Sequence, residues 1–90
     1  MKIGSRIDIV GLFYYTGNEI IVENNLLISG QFDFMLVKTL IFDEIKEDYP
    51  LFNSLSEILK LEKWHTVKLE CVVAANDSGK YYDIVNCRIL

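Results

Sequence analysis

Ninety residues fit one domain, and a chain of this length buries roughly two-thirds of its unfolded surface, enough for a core without staples. Thirteen Asp and Glu against nine Lys and Arg give a net charge of −4, so the overall field repels polyanions and argues against nucleic acid unless basic residues gather on one face. Two cysteines are too few for a secreted disulfide scaffold, Arg6 and Asp8 interrupt any signal-peptide core, and no run of roughly 18 apolar residues exists; an intracellular, cytoplasmic, reduced protein with no membrane span is expected.

The first element is a predicted strand, Arg6–Tyr15. Ile7, Ile9, Phe13 and Tyr15 share one parity; Arg6, Asp8, Val10, Leu12 and Tyr14 share the other. Gly11 inside it suggests a bulge or sharp bend. Thr16, Gly17 and Asn18 signal a turn, and residues 19–28 read as a second strand, disturbed at Asn24 and Asn25. Ser29, Gly30 and Gln31 signal the next turn. Residues 32–41 read as a third strand with apolar side chains on both faces, completing a meander.

The period then changes. Leu51, Phe52, Leu55, Ile58, Leu59 and Leu61 recur at spacings of three and four, as on one face of a helix. Pro50 suits its first turn, although Ser54 to Glu57 also matches a capping box that would start it later. Thr66 to Ala75 and residues 80–89 then alternate as two strands around Asp77, Ser78 and Gly79. A three-residue loop with Gly79 in the left-handed region would pair Asn76 with Lys80, Cys71 with Val85 and Leu69 with Cys87. Leu69, Cys71, Val73, Val85, Cys87 and Ile89 would then form one core-facing side.

The expected order is therefore β-β-β-α-β-β in a single domain over residues 1–90. That is the order of the OB-fold, a five-stranded Greek-key barrel with a helix at one end. The stretch 64–73 (WHTVKLECVV) followed by 77–90 (DSGKYYDIVNCRIL) resembles the end of small bacterial OB domains related to the tRNA-anticodon-binding type. The resemblance implies a mainly β barrel. An open antiparallel α+β sheet with one packed helix is the alternative, because pairings between distant strands decide closure.

No residue set has the pattern of a catalytic site, so no enzyme activity and no cofactor is expected. His65 is the only histidine, and no ligand spacing around it supports a zinc site. Cys71 and Cys87, diagonal across the hairpin, read as inert core thiols, with a disulfide or redox role as the competing reading. Asp43, Glu44, Glu47 and Asp48 form an acidic run that reads as a solvated face, with a docking face for a basic partner or, without the glycine of a calcium loop, divalent-cation binding as the competing readings. Arg6, Tyr14, Lys38, Lys68, Lys80, Tyr81 and Tyr82 form the candidate binding surface, since single-strand binders combine cations with stacking aromatics.

An apolar fraction of 51% and a mean hydropathy of +0.23 are high for so small a domain. Exposed apolar area is expected, as a partner or self-association interface. The leading expectation is a small accessory module that binds a protein, as a complex subunit or as an immunity or inhibitor protein. The alternative is a single-stranded nucleic-acid binder.

Overall fold

A computed structural model describes residues 3–30, 34–76 and 79–90, with the side chains of all of these except Phe34, Ala75, Asn76, Gly79 and Lys80. The elements run β1 (Arg6–Tyr15), β2 (Ile20–Val22), β3 (Leu27–Ser29), α1 (Phe34–Glu44), α2 (Pro50–Ile58), β4 (Trp64–Asn76) and β5 (Gly79–Ile89).

The five strands make one antiparallel sheet in the order β2-β1-β4-β5, with β3 also on β1. β2 pairs with the end of β1 (Tyr14 opposite Ile21) and β3 with its start (Asp8 opposite Ser29), so the two lie end to end along one edge of β1. They are the single predicted second strand, broken where Asn24 and Asn25 interrupt it. The sheet is open, with β5 at the far edge and no pairing among the described residues that joins the two edges. The chain is mainly β, as expected, with an open sheet and, among the described residues, two helices in place of one.

The third predicted strand is a correction. Described residues of the stretch 32–41 belong to α1. A short segment with apolar residues on both faces fits a buried strand and a buried helix equally by periodicity. Met, Leu and Lys within it favour the helix, and Val37 and Ile41, one turn apart, are both fully buried. α2 starts at Pro50, with Tyr49 in extended geometry before it, and the anticipated capping box plays no part in its start. Leu51, Phe52 and Leu55 are its buried residues.

The core lies between one sheet face and the helices. Ile7, Ile9 and Phe13 of β1 meet Val67, Leu69, Cys71 and Val73 of β4 beneath Val37, Ile41, Leu51, Phe52 and Leu55. β1 and β4 stay in register from Arg6 opposite Val72 to Tyr14 opposite Trp64, so Gly11 marks no bulge. It instead leaves space: a Cβ there would collide with Leu26, the buried residue between β2 and β3.

The hairpin register holds in its outer half, with Leu69 opposite Cys87 and Glu70 opposite Asn86. It then slips by one, because a bulge inserts Val85 and puts Cys71 opposite Ile84. Asn76 pairs with Gly79, so two residues, Asp77 and Ser78, form the loop instead of three; their conformation lies outside the described residues. The bulge turns Val85 out, to 56% exposure, and Ile84 and Tyr82 pack on the core in its stead.

Candidate functional site

With the helices on one side, no element among the described residues covers the other face of the sheet. Strand alternation places there Arg6, Asp8, Val10, Leu12 and Tyr14 from β1, and Trp64, Thr66, Lys68, Glu70 and Val72 from β4. Ile21, opposite Tyr14, and Leu27, opposite Val10, extend it on the β2/β3 side. Asp83, Asn86 and Arg88, opposite Val72, Glu70 and Lys68, extend it on the other.

This face divides by chemistry. At one end Trp64, Tyr14 and Ile21 form a cross-strand row. The Tyr14 and Trp64 rings lie 5.2 Å apart at 51°, a tilted packing that aromatic pairs favour. Leu12 sits in the next row and Leu27 beyond it. Leu12, Ile21 and Trp64 are each 38–47% exposed and Leu27 is 74% exposed. Apolar side chains at adjacent sheet positions make a continuous patch, in contrast to the single exposed apolar residues that any surface carries.

The other end is ionic and balanced. Asp8 and Glu70 lie directly opposite each other, an arrangement that repels unless cations intervene. Arg6 does so, donating from Nε to Asp8 at 3.1 Å and lying 2.8 Å from Glu70. Lys68 approaches the same carboxylates at 3.6 and 3.9 Å. The Arg6 hydrogen bond holds the Asp8 carboxyl below the usual carboxylate range, against the effect of burial.

The expected binding surface therefore disperses. Arg6, Tyr14, Lys68 and Tyr81 share the uncovered face, but Arg6 and Lys68 are engaged by Asp8 and Glu70. Lys38 lies on α1 and not on a strand, its ammonium 5.8 Å from the Phe42 ring. Tyr82 packs on the core side. It does so because the bulge reverses strand parity before Val85. Lys80 lies opposite Ala75, with its side chain outside those described.

The acidic run also divides. Asp43 is exposed and lies 3.6 Å from Lys46. Glu47 and Asp48 are exposed in the connection between the helices. Glu44 turns into a groove of about 310 Å³ between α2 and β5, and burial there, with Asp83 nearby, raises its pKa.

Cys71 is fully buried, which pushes its thiol up to about 12. Cys87 is half-buried and its pKa is also raised, by burial first and then by Glu57. Both are free thiols, and neither environment favours the thiolate that nucleophilic or redox chemistry requires. His65 accepts a hydrogen bond at Nε2 from the Lys60 N–H at 3.3 Å, tying the end of the helical region to β4. Among the described residues, no three His, Cys, Asp or Glu side chains cluster as metal ligands would.

The sequence reading missed Leu12, Ile21, Leu27 and Trp64. The signal was present as apolar residues on the polar parity of β1, next to an aromatic at the start of β4. Comparison with family models, curated proteins and solved structures finds no match.

Proposed function

We propose that this chain is a non-enzymatic binding module whose uncovered sheet face engages a protein partner, as a complex subunit or as an immunity or inhibitor protein. The observation that carries this reading is the patch of Leu12, Ile21, Leu27 and Trp64 beside Tyr14. Apolar and aromatic side chains desolvated at the centre of a contact, with a polar rim, are where protein interfaces gain most of their affinity. The charge-balanced set next to it supplies such a rim and fixes register more than affinity.

The same residues weigh against single-stranded nucleic acid. A strand-binding groove needs cations available to phosphate. Here Arg6 and Lys68 face carboxylates, and a phosphate would have to compete with both.

The test uses the tagged full chain, captured from a lysate of its source, beside Leu12→Asp and Trp64→Ala. Both sites are exposed, so both variants keep the fold, as circular dichroism checks. A captured protein that both variants lose supports the reading. The same protein captured equally by all three chains contradicts it. So does salt-sensitive binding of labelled single-stranded DNA at tens of micromolar, which would move the assignment to the nucleic-acid alternative.

A further inference from the structure

β5 is an eleven-residue strand at the sheet edge, and among the described residues no strand pairs its outer side. Main-chain direction along it follows from β4. Val73 exchanges hydrogen bonds with the residues just before β1, its N–H donating to Ser5 and its carbonyl accepting from Gly4. The alternate residues of β4 therefore bond to β5, as the 2.9 Å bond from the Leu90 N–H to the Thr66 carbonyl illustrates. Asp83, Asn86 and Arg88, opposite those residues, turn their main chain inward. Ile84, Cys87 and Ile89 turn theirs to the outer edge.

Edges of this kind are templates for another strand. The side chains of β5 say which. Core-side residues are Ile84 and Cys87, and open-face residues are Asp83, Asn86 and Arg88, the two halves being offset by the bulge at Val85. We propose that the β5 edges of two copies of this chain pair antiparallel, about a two-fold axis between Val85 and Asn86.

That axis sets Ile84 of one copy against Cys87 of the other. Both turn their main chain outward and both face the core side, so they can exchange hydrogen bonds. It sets Asp83 against Arg88 of the second copy, on the open face, twice by symmetry. The neighbouring axes, through Val85 or through Asn86, oppose Ile84 to an open-face residue, and every axis but this one separates Asp83 from Arg88. Asp83 and Arg88 are exposed, and among the described residues neither has an ion-pair partner within its own chain.

A bulge on an edge strand usually turns the edge away from partners. Here it keeps the two halves of β5 in phase with their symmetry mates, because an unbulged strand would put Asp83 and Arg88 on opposite faces. The groove between α2 and β5, lined by Leu51, Ile58, Ile84 and Cys87 together with Glu44 and Glu57, leaves room beside the edge for Ile84 of the second copy. The contact is isologous, closes on itself and is small, so the dimer is weak and concentration-dependent. It is independent of the partner reading, since β5 contributes nothing to the Leu12 and Trp64 patch.

Sedimentation equilibrium on the full chain tests it. The mass is expected to rise from 10.4 kDa for one chain toward twice that value as concentration increases. Asp83→Lys and Arg88→Glu, each placing like charges across the axis, should each raise the dimer dissociation constant about tenfold or more. The double swap should return it to within about threefold of the parent. A monomer at every concentration up to the solubility limit overturns the proposal. A dimer indifferent to the single swaps, or not restored by the double one, overturns it as well.

Discussion

Gly11 shows how one residue can set local packing without occupying space. Its missing Cβ admits Leu26, which plugs the gap between β2 and β3 and is itself buried. Gly11→Ala is expected to cost about 1–3 kcal/mol, the usual range for overpacking a filled core. Leu26→Ala in the same chain should recover part of that loss, because the colliding side chain is gone. Urea unfolding of the four chains of this cycle checks it, and simple additivity of the two single changes would refute the contact.

Two carboxylates give opposite pH signatures at the same scale. Glu44 has a raised folded-state pKa, so its protonated form suits the native state. Its contribution is complete below the ordinary carboxylate value and lost as pH rises through the raised one. Asp8 has a lowered pKa, so its contribution is present above the ordinary value and lost as pH falls through the lowered one. Glu44→Gln should therefore raise the melting temperature at pH 7, with the gain vanishing below the ordinary carboxylate pKa of about 4.3. A gain that persists unchanged in acid would contradict this assignment.

Elements differ in how legibly the sequence encoded them. β1, the β4–β5 hairpin and α2 were readable because each has one buried and one wet side, which imprints a period of two or of 3.6. α1 was not. It carries apolar residues nearly all round, with Met35 65% and Leu36 50% exposed, so no period distinguished helix from strand. The hairpin register was readable from its outer end only, since nothing in the residues around Val85 announces an insertion. That bulge is also why Tyr82, placed on the surface by simple alternation, packs on the core, and why Val85 leaves it.

The same contrast predicts unequal energetics for the helices. Leu55 of α2 is fully buried, so Leu55→Ala should destabilise by about 2–5 kcal/mol. Met35→Ala on the outer side of α1 should stay within about 0.5 kcal/mol. Denaturant midpoints at unchanged slope would read both. Equal losses would mean that α1 buries a different face.

At the scale of the molecule, two helices cover one side of an open sheet and leave the other to solvent. Alternation put Arg6 and Tyr14 on the polar parity of β1 and Lys68 on that of β4, and only the pairing of the two strands brings them to one face. The apolar half of that face could not be read, because it becomes a patch only when β2 and β3 set Ile21 and Leu27 beside β1. Such long-range pairings leave no local trace, and the same fact left barrel closure undecidable from the chain.

Everything proposed for this surface requires that the sheet side carrying Tyr14 and Trp64 be open to water in the isolated protein. Trp64 is the only tryptophan, so acrylamide quenching of its fluorescence reads that side alone. Ready quenching, nearly as strong in the folded chain as in the urea-unfolded one, is the predicted result. A blue-shifted emission shielded from acrylamide at every protein concentration would contradict it, because some part of the chain would then cover the face.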